Sequence, residues 1–180
     1  MRVSRERVRQ NHRQMVESAG RLFRERGIDR VNLASISADA GLTNGGFYRH
    51  FASKQALVAA SLRYLLVAAG KSMKALMRQG GRRAVAEAYL SPEHAEDIAT
   101  GCAFVALAAE IRRLEPETRQ ILAGGLDGWL RIIAQPGGDR DSTIAFIALL
   151  VGGLTLARVA GPGQRAEEIL AAARAAAIRI

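Results

Sequence analysis

Ala40-Gly-Leu-Thr-Asn-Gly-Gly-Phe-Tyr-Arg-His-Phe-Ala-Ser-Lys-Gln-Ala-Leu57 places two glycines where a helix should begin and a lysine where a helix dipole disfavours one. Just upstream, Asn32 is a good N-cap for a short helix that turns Leu33, Ile36 and Ala40 inward and stops at Gly41. After the turn at Gly41-Leu42, Thr43 caps a second, very short helix that is expected to run through His50. Helix, turn and short helix over residues 32–51 form the arrangement in which the second element enters the major groove of DNA. Gly45 and Gly46 each cost up to about 1 kcal/mol relative to Ala in such a helix. Their lack of side chains lets the backbone press close to a ligand surface, although two glycines also simply loosen a surface turn. Lys54 follows the Ser53 cap with no acidic residue near it, so a phosphate there would take the free N–H groups and pair with the ammonium. Between the glycines and Lys54, Tyr48 and His50 supply hydrogen-bonding groups, while Phe47 and Phe51, at i, i+4 spacing, anchor the short helix to a core. Taken singly each residue suits ordinary surface or core; together they describe a surface that grips phosphate.

Outward from this stretch the periodicity is helical throughout. The first helix is expected over residues 10–26, with Met15, Val16, Ala19, Leu22 and Phe23 on one face and Gly27 as its cap. A fourth helix follows Ser53 to about residue 77, its stripe being Val58, Leu62, Leu65, Ala69, Met73 and Leu76. At 1.5 Å per residue it is roughly 35 Å long, enough to connect two domains. Gly80-Gly81, Ser91-Pro92, Gly101, Pro116, Pro136-Gly137-Gly138 and Gly161-Pro162-Gly163 then separate helices expected over 82–90, 102–114, 116–134, 140–160 and 164–179. No segment alternates apolar and polar residues for long, so the fold class is all-α.

Composition narrows the function classes. With 180 residues, 49% of them hydrophobic, the chain can bury a core. Residues 1–54 carry 11 of the 26 Lys and Arg but only 5 of the 17 Asp and Glu, which is two thirds of the +9 net charge. A field concentrated in that way draws nucleic acid or an anionic surface. The lone cysteine, Cys102, excludes an internal disulfide and fits a reducing cytosol. Residues 1–11 have no apolar core of a secretory signal, and the longest apolar run, residues 143–157, falls short of the roughly 20 residues that a bilayer crossing needs. No membrane partner is therefore expected. His12, His50 and His94 are far apart with no metal-ligand spacing, so neither a metal nor a cofactor is expected, and no catalytic constellation stands out.

The stretch 40–57, with Leu22-Phe23 and Gly27 upstream, closely resembles the DNA-binding domain of TetR-type transcriptional repressors over residues 10–60. The resemblance implies a three-helix helix-turn-helix domain, residues 1–53, joined by a long connector helix, 54–77, to an α-helical effector-binding and dimerisation domain, 54–180. It implies a homodimeric, ligand-responsive repressor, not an enzyme, that binds a palindromic double-stranded operator in the cytoplasm and is released by a small-molecule effector. Carried over by position, Tyr48 and Lys54 match phosphate contacts, and Thr43, Asn44, Gly45 and Gly46 the tip of the recognition helix. His50 stands at a phosphate-side or packing position. Two positions depart from the family's habit: Asn32, counted among the DNA-side residues, replaces a hydroxyl cap, and Asn44 stands where Lys is frequent, which shifts that position towards base reading.

An effector pocket is expected among Cys102, Phe104, Leu107, Leu126, Trp129 and Ile133, whose bulk exceeds what thin helices cover, although core packing explains any one of them. Cys102 at a helix start invites a thiolate and hence a sensor, against the commoner role of a buried core residue. The helix over 140–160 is apolar nearly all round, so Ile144, Ile147, Val151, Gly152 and Leu154, with Ile169 and Ala173 of the last helix, are expected at a dimer interface, where Gly152 and Gly153 let helices approach. The competing reading is an all-α small-molecule-binding protein or enzyme whose basic N-terminal region does not read DNA; the two differ in salt-dependent duplex binding.

Overall fold

The computed structural model describes residues 4–135 and 137–180, so Pro136 of the expected break and the first three residues of the expected N-terminal domain lie outside the described residues. Those described form nine α-helices and one 3₁₀ segment, without a strand. Helix α1, Arg5–Arg26, begins upstream of the expected residue 10 because Ser4 Oγ accepts from the Arg7 N–H at 3.2 Å and Glu6 lies in the first turn. A start set by a cap on an exposed helix end leaves no trace in the hydrophobic period. The expected face, Met15, Val16, Ala19, Leu22 and Phe23, is buried.

Helix α2, Leu33–Asp39, is capped as expected: Asn32 Oδ1 accepts from Ser35 N–H at 2.8 Å. Helix α3 is only Asn44–Phe47, because Thr43 makes no capping bond and two of the four residues are glycines. Tyr48 to His50 form a turn, not the expected continuation, with His50 N–H donating to the Phe47 carbonyl at 2.8 Å.

Helix α4, Lys54–Tyr89, starts at the Ser53 cap and joins what reads in sequence as two helices. It bends at Gly80-Gly81, where Gly81 (φ 64°, ψ −151°) adopts a backbone that favours glycine. The straight part before the bend is about 39 Å long. Helix α5, Pro92–Glu96, has no counterpart in the expected set; Ser91 Oγ caps it through the His94 N–H, with Pro92 at its first position. The helix expected over 102–114 is instead α6, Ala103–Leu107, followed by the 3₁₀ segment Ala108–Arg113. Glu115, preceding Pro116, cannot stay helical. Helices α7, Pro116–Ile133, α8, Arg140–Ala160, and α9, Gln164–Arg179, lie where the punctuation placed them.

Two apolar clusters hold the chain together. The first joins α1, Ile28, Val31, Ile36, Phe47 and Phe51 to Leu57, Val58 and Leu62 of α4, and also takes in Leu107 and Leu122 from beyond the connector. The second is built on Met73, Val85, Leu90, Trp129, Ile133, Phe146, Leu150, Leu154 and Leu170. By length and composition Lys54–Tyr89 and Arg140–Ala160 would each be able to cross a membrane, which the 143–157 run alone understated. Here α4 packs on α1 and α7, and α8 on α9, as core helices.

Candidate nucleic-acid interface and cavity

The short helix and its turn set one exposed ring over a buried pair. Tyr48 is 71% exposed, its ring edge-on to Phe47 at 5.2 Å, while Phe47 and Phe51 are buried beneath it as the i, i+4 spacing predicts. Thr43 and Arg49 are exposed and Gly46 is half-buried; Arg49 went unnoticed in sequence because an arginine on a basic segment carries no spacing signal. The surroundings of Asn44 and Gly45 lie outside the described residues. His50 is half-buried beside His12, ring centroids 6.1 Å apart, and His12 stacks on Phe51 at 4.5 Å. Burial, then the neighbouring His12 and Arg49, push the His50 pKa down, so it is a neutral hydrogen-bonding group near pH 7.

Lys54 is less free than its position suggests. Its Nζ donates to the Ile28 carbonyl at 2.6 Å, which leaves two ammonium protons for a phosphate. The Ile28 N–H on the same peptide turn donates to Glu110 Oε2 at 2.8 Å. The turn that ends α1 is thus held on one side by the first residue of α4 and on the other by the 3₁₀ segment. Arg24, one turn earlier, donates from Nε to the Ala99 carbonyl at 2.7 Å.

A cavity of about 310 Å³ lies between α4, α7 and the segment 94–104. Of the residues expected there, Cys102, Phe104 and Trp129 line it. Leu107 does not: it is fully buried in the N-terminal cluster. Ile133 is likewise packed in the second cluster, and Leu126 is 41% exposed on the outer side of α7. The sequence reading missed Leu65, Met73, Tyr89, His94 and, from α1, Arg24. Three edge-to-face ring pairs frame the space: Tyr89–Trp129 at 5.9 Å, Phe104–Trp129 at 5.1 Å and Tyr89–His94 at 4.6 Å. His94 Nδ1 donates to the Tyr89 carbonyl at 2.7 Å, and burial lowers the ring's pKa, so the imidazole is neutral with Nε2 as its acceptor. Cys102 is buried, and burial pushes its thiol above the ordinary value. The five-residue α6 has too little dipole to reverse that, which contradicts the depressed pKa that a sensor thiolate needs.

On α8 and α9 the residues expected at an interface divide. Ile147 and Leu154 point into the protomer core, 5% and 0% exposed, so they are packing residues and not surface. Ile144 is 45% exposed, while Val151, Gly152, Ile169 and Ala173 are half-buried. With Ala145, Ala148, Leu156 and Val159, Ile144 and Gly152 make an open apolar stripe at helical spacing along α8, Leu156 being 58% and Val159 80% exposed. Gly153 serves the protomer, since a Cβ there would meet Ala173 Cβ at 2.6 Å; at Gly152 it would meet nothing within 4 Å.

Among the described residues no cluster of three His, Cys, Asp or Glu is placed to hold a metal. The family model for bacterial regulatory proteins of the tetR family matches residues 16–61. Two proteins from Pseudomonas putida, the HTH-type transcriptional regulator TtgR and the probable HTH-type transcriptional regulator ArpR, are each 40% identical over 62 residues, 34% of this chain. The matched segment spans 30% of their length. The whole chain superposes on solved structures of low identity: E. coli NemR in its reduced form (TM-score 0.80, 21% identity, 94% of this chain and 96% of that one) and a TetR transcriptional regulator from Chloroflexus aurantiacus (TM-score 0.80, 23% identity, 97% and 95%). The N-terminal helices are therefore a TetR-type helix-turn-helix domain, carried on a TetR-like all-α fold.

Proposed function

We propose that this TetR-type chain is a ligand-responsive transcriptional repressor that binds a near-palindromic operator as a homodimer and leaves it when a small molecule fills the cavity. It acts in the cytoplasm and performs no catalysis. The observation that carries the reading is the turn after α3, with Tyr48 71% exposed above two buried phenylalanines, inside the segment that matches the family. Residues 1–53 serve DNA and 54–180 the effector and the partner protomer. Thr43, Asn44, Gly45 and Gly46 approach the bases, Tyr48, His50 and Lys54 the phosphates, and Asn32 supports them by holding α2. The open α8 stripe, with the outer face of α9, meets its copy across a two-fold axis, which sets the two α3 tips about 34 Å apart in successive major grooves.

The test is selection of duplexes from a random pool by the full chain, followed by affinity measured against salt. A palindromic consensus bound with a steep negative slope of log affinity on log salt is the expected result. A pool that never converges, or binding with no salt slope, would overturn the reading in favour of a small-molecule protein that does not read DNA.

A further inference from the structure

Two of the cavity's polar groups are stranded. Tyr89 and Trp129 are 7% and 3% exposed, and neither the Tyr89 hydroxyl nor Trp129 Nε1 has a hydrogen-bond partner among the described residues. The Cys102 thiol lies close enough to interact with the Tyr89 hydroxyl, but their geometry falls short of a hydrogen bond, so the hydroxyl stays without a partner. A buried donor left unmade is costly, so two in one cavity wall point to an acceptor that arrives from outside.

Charge says what kind of acceptor. Among the described residues Arg24 is the one charged group in the lining, and no carboxylate lies within ion-pair distance of its guanidinium. Its Nε is spent on the Ala99 carbonyl, which leaves the terminal nitrogens. Asp97, which acts on Arg24 through space, is itself held by the Thr100 N–H and hydroxyl. Arg158 adds a second cation behind the same segment, donating to the carbonyls of His94, Ala95 and Asp97. Burial disfavours the Arg24 cation, a cost that an anion would offset. The rest of the wall is aliphatic and aromatic, and the rings of Tyr89, Phe104 and Trp129 meet edge-to-face, leaving slots suited to a flat molecule. A volume of about 310 Å³ is roughly that of ten waters, which suits a guest of one or two fused or linked rings.

We propose that the cavity binds a small planar aromatic carboxylate, its ring between Phe104, Trp129 and the α4 side chains, its anionic end held by Arg24, with the Tyr89 hydroxyl and Trp129 Nε1 turning to it as the wall adjusts. This rests on the reading of the cavity as the effector site and adds the class of effector and the residue that senses it. Arg24 belongs to α1 of the DNA-binding domain, so the guest's charge is read directly by the helix that supports α2 and α3. No relay through an intermediate element is needed for the first step.

The experiment compares cinnamate with its uncharged amide, cinnamamide, and with cinnamylamine, by calorimetry on the full chain. Quenching of Trp129, the only tryptophan, reports whether the guest enters this cavity. Cinnamate should bind about 10- to 100-fold more tightly than the amide, as a charge-assisted pair with arginine implies, and the amine should bind least. Arg24→Gln should erase the preference for the acid while leaving cinnamamide binding and quenching in place, which also shows that the variant is folded. Equal binding of acid and amide, preference for the amine, no quenching by any of the three, or a preference that survives Arg24→Gln would overturn the proposal. Operator release is scored separately: if cinnamate binds and quenches as expected but the duplex stays bound, the ligand class stands and the regulatory reading of the cavity fails.

Discussion

Gly152 and Gly153 are adjacent in sequence, yet about 100° apart around α8, and they face different surroundings. At 153 an added methyl would sit 2.6 Å from Ala173 Cβ and 3.0 Å from Leu90 Cδ2. Ala173 Cβ is fixed to the α9 backbone and cannot rotate away, so α8 and α9 must part by about 1 Å to restore ordinary contact. Overpacking of this kind costs about 1–3 kcal/mol, against which alanine returns up to about 1 kcal/mol of helix propensity. Gly153→Ala should therefore destabilise the fold by about 1–2 kcal/mol, a fall in Tm of about 2–8 °C for a chain of this size. Gly152→Ala meets nothing within 4 Å in the protomer and keeps the propensity gain, so its Tm should rise by about 2–4 °C. Both are measured by calorimetry at one protein concentration, beside sedimentation equilibrium, because a change in dimerisation shifts Tm by mass action. A Gly153→Ala chain as stable as the parent would show that α8 and α9 do not pack as described. A Gly152→Ala chain that falls equally far with its dimer intact would show that residue 152 is not on the open face.

Further outcomes are expected. Tyr48→Phe should weaken binding to every duplex by about tenfold or more with Tm unchanged; Lys54→Ala should flatten the salt slope by about one unit and also lower Tm, since it breaks the bond to Ile28, and an unchanged slope would remove the ammonium from the interface. Leu156→Glu together with Val159→Glu should give monomers in sedimentation with helix content retained, because both side chains are exposed in the protomer; a persistent dimer would move the interface elsewhere. Glu110→Ala strands the Ile28 N–H and should cost about 1–3 kcal/mol of stability and weaken operator binding, whereas Glu110→Gln, which keeps an acceptor, should recover most of both; identical behaviour of the two would mean that the bond carries nothing. Burial holds the pKa of both His50 and His94 below the ordinary 6.5, so below pH 6.5 the unfolded chain binds the extra protons: stability is fully present above that value and is lost as pH falls through the folded pKa values. Thermal scans from pH 8 to pH 5 should show that fall, and His94→Gln should shrink it; a Tm that is flat to pH 5 would contradict the burial.

The helix-turn-helix was legible because every signal for it is local. Caps at Asn32 and Ser53, the stop at Gly41 and the Phe47/Phe51 pair all act within one or two turns, and the structure realises each of them. Where a neighbour outside the window decides, the reading slipped. The 102–114 segment has helical composition, yet it tightens to 3₁₀ where Glu110 reaches back to Ile28 and Pro116 follows. The α8 stripe was readable as apolar all round, but which side faces α9 depends on Ala173 and Leu90, so Ile147 and Leu154 were assigned to the wrong surface.

The cavity shows the same limit more sharply. Its walls come from residues as far apart as Arg24 and Trp129, and no periodicity links an arginine at the end of α1 to a tyrosine at the end of α4. Trp129 was visible as bulk in search of a partner; Arg24 was indistinguishable from the other arginines of a basic segment. What separates it is partial burial without a carboxylate, a property of the assembled fold alone. The helix that carries Arg24 into the cavity also ends in the Gly27-Ile28 turn, where Glu110 and Lys54 hold opposite faces of one peptide segment. A charge entering the cavity and the ammonium at the start of α4 therefore act on neighbouring points, one on the last turn of α1 at Arg24 and the other four residues later at Ile28, in the turn that follows the helix. Local reading singled out the Lys54 end of that connection because its neighbours are contiguous, and missed the other end because nothing in the chain order brings it near.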